Sequence, residues 1–303
     1  MEIFYKLYAA LFPYLLCIPL GYFLKKKELV PKKYIHKPLL FVLIPLLLID
    51  NVLETEMSNL IILATMSFSL AFFVTFPAIW AFKKFDGLDK PLLISSFSFF
   101  NVLFFGIPTV KAIFDQDAVT TLICIYIGTG LFGYTVGYTA VAKSKFGIKK
   151  SIKEALKVPF IYAFLLAISL KLFNYELPEF FTPVLDVLGV IVSAAGMTLL
   201  GMNITMINFK DLDLSYFSKV LGIRTGSAIL IAGFLLAAEY FIFDLLNSQE
   251  RSVYSLIPLF PIAATLTVFA SMLGSEERDS ALMIVLSMVV SLILVPLMAM
   301  IYS

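Results

Sequence analysis

Histidine occurs once in the 303 residues, tryptophan once and cysteine twice, and charged residues make up only 15%. A soluble domain carries about a quarter. Each scarcity excludes something. With His36 as the sole imidazole, a zinc protease with paired histidine ligands is ruled out, and so is a serine–histidine hydrolase. An aspartyl dyad needs two mid-span carboxylates, and at most one is present. Cys17 and Cys124 fall inside apolar runs and read as small packing residues. No basic patch is interleaved with aromatics, so nucleic acid is not an expected partner. No metal and no cofactor is expected, and no stretch could form the soluble output domain of a sensor.

What is abundant is apolar surface. Hydrophobic residues reach 60%, the mean hydropathy is +0.96, and the charges cluster so as to leave runs of roughly 20 residues, the length that crosses a hydrocarbon core. The fold class is therefore an all-α polytopic membrane protein embedded in a lipid bilayer. Ten apolar segments are expected near 4–24, 35–53, 60–82, 91–114 and 119–142, then 158–173, 183–207, 217–243, 253–273 and 280–302. The N-terminus has its lysine cluster after the first apolar run, the opposite of a signal peptide, so the first span is expected to be retained.

Basic residues in short loops tend to stay cytoplasmic. The first loop holds Lys25, Lys26, Lys27, Lys32, Lys33 and Lys37, the third Lys83, Lys84 and Lys90, and the fifth Lys143, Lys145, Lys149, Lys150, Lys153 and Lys157. Alternate loops carry Glu54 and Glu56, Asp115 and Asp117, and Glu176 and Glu179. Both termini are thus expected outside a cell membrane. The basic loop at Lys149 and Lys150 divides the chain into 1–147 and 148–303, five spans each. An odd number per half inverts the second half relative to the first, an architecture that recurs in secondary transporters.

The fourth segment contains Asn101-Val102-Leu103-Phe104-Phe105-Gly106-Ile107-Pro108. Pro108 has no N–H to offer the carbonyl of Phe104, Gly106 loosens the same turn and lets another backbone come close, and Asn101 lies two turns before Pro108, about 10 Å along the axis and on one face. Freed backbone and a carboxamide are tolerated in hydrocarbon only where protein or a water-filled cavity surrounds them, so a broken helix lining a site is expected; a kinked helix with Asn as interhelical glue is the bland alternative. The ninth segment is its expected partner. Pro258 and Pro261 free the carbonyls of Tyr254 and Ile257, and Thr265 follows one turn later.

These residues carry a family resemblance. Asn101 through Pro108 resembles the Asn…Gly-x-Pro motif of the auxin efflux carrier family of bacterial, archaeal and plant transporters, and the likeness runs essentially end to end. Pro45-Leu46-Leu47-Leu48 is similar to the family's proline-containing second helix. Leu200-Gly201-Met202-Asn203 resembles its seventh-helix stretch, and Pro261 onward through Ala270 and Gly274 its ninth-helix signature. The resemblance implies a scaffold from spans 1, 2, 6 and 7, a transport domain from spans 3–5 and 8–10, and helices 4 and 9 crossing at their prolines near the midplane. It also implies small organic anions as substrates, auxin in plants and carboxylates such as malate in bacteria, and by analogy a homodimer. Val102 and Leu103 replace the family's small hydroxyl residue and Gly, and Thr265 its ninth-helix Asn, which makes the expected pocket less polar and narrower.

The expected substrate residues are Asn101, Gly106, Pro108, Pro261, Thr265, Asn203 and Pro45. Asp50 and Glu239 are the candidates for H⁺ or Na⁺ coupling, since carboxylates inside a membrane are functional suspects; either could also be a solvated helix end. Phe104 and Phe105 flank the break and could gate it or simply pack. Lys171 and Arg224 are read as interface anchors. The expected activity is alternating-access transport of a small organic anion, not enzymatic catalysis. The alternatives are a cation-coupled carrier of another small solute, a channel, for which no filter-like loop is evident, or an intramembrane enzyme.

Overall fold

The computed structural model describes residues 2–85, 90–114, 117–139, 147–205, 207, 213–267 and 277–302. Asp115, Lys143, Lys145, Ala270 and Gly274, invoked above, lie outside the described residues. Among the described residues, seven helices are long and apolar enough to cross a membrane: Ile3–Lys26, Lys33–Glu54, Met57–Lys84, Ala118–Gly137, Pro183–Ile204, Leu214–Phe243 and Asp279–Ala299. The sixth expected segment is the shorter apolar helix Phe160–Leu172. The fourth and ninth are interrupted helices.

The outward faces of this bundle are apolar. On α1 (Glu2–Lys26), Phe12, Leu16 and Phe23 are each more than half exposed, while Lys25 and Lys26 fill its last turn, where cations suit the negative end of the helix dipole. In lipid there is no hydrophobic force between helices, so close packing holds them together. α1 lies along the helix Thr182–Ile204 with backbone nearly touching backbone. A Cβ at Gly21 would stand 2.0 Å from the carbonyl oxygen of Thr198, and one at Gly201 would stand 1.9 Å from that of Ile18. Gly128, on Asp117–Phe132, meets Ala64, on Met57–Phe73, in the same way, at 2.1 Å. Phe160–Leu172 packs against Ile44–Glu54.

The fourth segment forms a helix over Lys90–Ser98, leaves helical geometry from Phe99 to Phe105, and resumes as Gly106–Ile113. The expected break at Pro108 is thus moved toward the N-terminus. Pro108 occupies the first turn of the second half-helix, where its missing N–H has no intrahelical duty, and Asn101 lies inside the break, not on a continuous helix face. The ninth segment forms Ser248–Leu256, tightens into a 3₁₀ turn over Ile257–Leu259, and runs extended from Phe260 before helical geometry returns at Thr265. Here too the expectation is corrected. The carbonyls of Tyr254 and Ile257 are not left free: they accept from the N–H groups of Ile257 and Phe260, because the tighter turn reclaims at i+3 what proline removes at i+4.

The glycine contacts make a direct test. Gly201→Val should cost about 2 kcal/mol or more through overpacking, whereas Gly222→Ala, whose Cβ would meet nothing within 4 Å, should be neutral or slightly stabilising. Thermal denaturation of the two variants in detergent checks the contrast.

Candidate functional site

The two interruptions are hydrogen-bonded to each other. Asn101 N–H donates to the carbonyl of Pro261 at 2.8 Å, and Ala263 N–H donates to the carbonyl of Phe99 at 3.0 Å, which sets Phe100 opposite Ile262 as an antiparallel bridge. Pro261 fits this ladder because only its carbonyl is called on. Ile262 turns its own N–H away, to the hydroxyl of Ser287 at 2.9 Å. Gly106 stands where a Cβ would be 2.8 Å from the ring of Phe260 and 3.1 Å from the side chain of Leu122, so what comes close is side chains, one of them from the other break, and not the backbone expected there. Phe105 and Phe260 pack edge to face beside it, centroids 5.6 Å apart.

Asn101 is 3% exposed and organises the start of the second half-helix. Its Oδ1 accepts from Phe104 N–H at 3.2 Å, and its carbonyl accepts from Gly106 N–H at 3.3 Å. Its Nδ2 amide has no hydrogen bond among the described residues, and Asn101 lines a cavity of about 50 Å³. That cavity is lined by Asn101, Thr265, Phe100, Phe104, Tyr126 and Tyr134, among others, and among the described residues no Lys, Arg, Asp or Glu lines it.

Thr265 and Phe104 also line a smaller inner cavity of about 10 Å³, together with His36, Lys32 and Asn203. The amide of Asn203 is fixed by chemistry. Thr267 Oγ1 gives its proton to the carbonyl of Ala264, so it can only accept from Asn203 Nδ2, at 2.7 Å. Asn203 Oδ1 is then a buried acceptor without a donor, and His36 Nε2 is a second buried atom without a partner. The expected site residues Asn101, Thr265 and Asn203 are therefore gathered around two adjoining cavities. Pro45 lines neither; its neighbour Ile44 lines the larger.

Outside the break lies a wide cavity of about 440 Å³, lined by Pro108, Asp50, Asn51, Glu54, Lys111 and Glu176, among others. The structure thus places Asp50 and Pro108 in this vestibule and not at the crossing. Glu239 is 2% exposed and heavily engaged. It accepts from Leu245 and Leu246 N–H groups at 2.8 Å and pairs with Arg251 at 2.7 Å. Arg251, bonded to both Glu239 and Asp244, is held well above its ordinary pKa by those carboxylates. Glu239 is therefore not the solvated helix end weighed above.

Of the two cations read as interface anchors, Lys171 lies part-exposed in the last turn of Phe160–Leu172, whereas Arg224 is buried. Lys171 donates to the carbonyl of Leu53 at 2.9 Å, in the last turn of Ile44–Glu54. Arg224, on Leu214–Ala238, is 2% exposed and directly behind the crossing. Its Nε donates to the carbonyl of Ser96 at 2.9 Å and its Nη1 to that of Phe260 at 3.2 Å, and its guanidinium lies 4.8 Å from the centroid of the Phe100 ring. Its presence inside an apolar span was a signal for function; placing it at a membrane interface concealed that. Tyr126 and Tyr134, hydrogen-bonded to each other, gave no signal that separates them from packing aromatics.

On the far side, the break rests on Thr182–Ile204. Ser193 Oγ donates to the carbonyl of Leu103 at 3.4 Å, and Gly196 leaves the space taken by Phe104, whose ring atoms would be 2.0 Å from a Cβ there. Phe104 is thereby both seated on the neighbouring helix and shared by the two cavities.

A family model described as membrane transport protein matches residues 6–299. No curated protein matches the chain.

The engagement of Glu239 separates structure from coupling. Glu239→Gln should lower the melting temperature by several degrees, since it leaves Arg251 short of a buried partner, while the pH dependence of uptake stays as in the wild type. Differential scanning fluorimetry and uptake at several pH values check it.

Proposed function

The chain belongs to the membrane transport protein family, that of the auxin efflux carriers, and from that premise we propose that it is a secondary transporter moving a small organic anion of the carboxylate class by alternating access. Membership makes it a multi-pass membrane transporter and sets it apart from enzymes. The observation that carries the finer reading is the bonded crossing of the two interrupted helices, with the free amide of Asn101 and the hydroxyl of Thr265 beside a cavity that no acidic side chain lines. The Asn101 amide supplies donors that a carboxylate can accept from, and the dipole of Gly106–Ile113, whose first N–H groups are themselves bonded, adds a positive field. The aromatic lining suits the apolar remainder of such a solute.

In this proposal 1–147 and 148–303 are two inverted repeats. Two facts support it. The first span packs on the seventh and the second on the sixth, the pattern that an exchange of halves produces. The interruptions also fall in the fourth segment of each half and pair antiparallel. Spans 1, 2, 6 and 7 then form the scaffold and the others the moving domain, with Gly189, Ser193 and Gly196 as the face on which the first break slides. The lysine-rich loops support a cell-membrane orientation with both termini outside, and a homodimer remains the assembly by family analogy. A cation-coupled carrier is the second reading, favoured by Asp50, Glu54 and Glu176 in the outer vestibule, where H⁺ or Na⁺ would be drawn.

Uptake of a carboxylate panel into proteoliposomes tests the proposal. Asn101→Ala should lower kcat/KM by roughly 10- to 100-fold, the worth of a hydrogen bond to a charged group. Pro108→Ala, in a first turn where its N–H is not missed, should stay within about three-fold. Saturation and counterflow are expected of a carrier; linear flux, or an unaffected Asn101 variant, contradicts it.

A further inference from the structure

We infer that Arg224 sets the charge preference of the crossing by neutralising the negative ends of the two interrupted helices. The inference rests on the carrier reading above and deepens it. Each break brings a helix C-terminus into the middle of the fold, and an aligned helix carries about half a negative charge at that end. The half-helix Lys90–Ser98 ends at the cavity, which Ser98 lines, and the turn Ile257–Leu259 ends at Phe260, three residues before Ala263, which lines it too. Left alone, these ends would repel an anion and cancel the positive end of Gly106–Ile113.

Arg224 reaches both. One guanidinium donates to Ser96 of the first half-helix and to Phe260 at the end of the second. It is fully buried and makes no ion pair among the described residues, so the two helix ends are its counter-charge. Its third arm, Nη2, is buried with no partner. The charge is one aromatic ring from the solute: the guanidinium sits over Phe100, and Phe100 lines the cavity. No Lys, Arg, Asp or Glu among the described residues lines the cavity, so the field there comes from the helix ends, from Arg224 behind Phe100 and from Lys32 on the adjoining cavity. With the negative ends offset, what remains is the positive end of Gly106–Ile113 and the unpartnered donors of Asn101. Arg224 thus acts as a positioning residue, through the field and through Phe100, without touching the solute.

Three probes of one shape test this in proteoliposomes: benzoate, benzamide and benzylamine, competing with each other. Wild type should take benzoate in preference to the other two. Arg224→Gln should raise the ratio of KM for benzoate to KM for benzamide about ten-fold, the effect of a unit charge felt across a ring's width in a partly screened medium. Arg224→Lys, which keeps the charge but loses the fork, should keep KM for benzoate within about three-fold. A merely structural arginine gives another pattern: Lys and Gln fail alike and turnover falls for all probes. That pattern, or an unchanged KM ratio in Arg224→Gln, overturns the inference. If the Gln variant does not fold, Arg224→Lys titrated from pH 6 to 10 replaces it. KM for benzoate should rise with pH as the buried ammonium loses its proton, against a flat wild type, and a flat Lys variant overturns the inference. Wild-type uptake of benzamide or benzylamine in preference to benzoate overturns it as well. Uptake of none of the three contradicts the carrier reading, whereas benzoate uptake with an indifferent Arg224 contradicts only the present inference.

Discussion

A peptide N–H or C=O held away from water without a partner costs several kcal/mol, and two interrupted helices strand such groups at the centre of this fold. Several bonds of the crossing answer that constraint. Asn101 N–H finds Pro261, Ala263 N–H finds Phe99, and Ile262 N–H finds the hydroxyl of Ser287. The carbonyls of Ser96 and Phe260 find one guanidinium, and that of Leu103 finds Ser193. Neither break could stand alone in hydrocarbon, because each provides partners for the other. The cavity is the by-product: where the chains leave helical geometry to meet, side chains no longer fill the space, and Asn101 and Thr265 are left with chemistry to spare.

The same constraint explains why the cations that stand inside apolar spans are placed as they are. Arg224 and Lys171 both donate to carbonyls at the C-terminal ends of helices, the negative ends of the dipoles. Glu239 shows the complementary solution, with two backbone N–H groups and a guanidinium around one carboxylate. Charges are carried here by structure that needs them, which leaves the cavity itself without fixed ionic side chains. In the proposed carrier, polarity would reach the solute through amides, hydroxyls and helix ends, a softer field that suits a site obliged to release what it binds.

Much of this was legible in the sequence, and the residues show why. Apolar runs and lysine-rich loops announce the class, since bilayer thickness sets span length without reference to any partner. The pairing of segments four and nine followed from counting, because proline and Asn in apolar runs need shelter. The position of each break did not follow. Pro108 and Pro261 carry the visible signal, yet the chain departs from helix at Phe99 and at Phe260, where the partner's backbone is available. Proline excludes an N–H but does not say which neighbour will use the carbonyls. Arg224 was misplaced for a similar reason: sequence gives depth along a helix, and only the assembled bundle reveals that its face turns toward the crossing. Asn203 was named as a cavity residue, but its role as a fixed acceptor depends on Thr267, 64 residues away.

The central claim is that the two interruptions lie against each other, with Phe100 facing Ile262. Facing residues of an antiparallel pair that exchange no hydrogen bonds stand with Cα atoms about 4.5 Å apart, inside the range a disulfide spans. The direct measurement replaces Cys17 and Cys124 by Ala, introduces Phe100→Cys with Ile262→Cys, and follows oxidation in native membranes. The account predicts near-complete intramolecular crosslinking that a reductant reverses. A folded double variant whose thiols stay free under a membrane-permeant oxidant would contradict it.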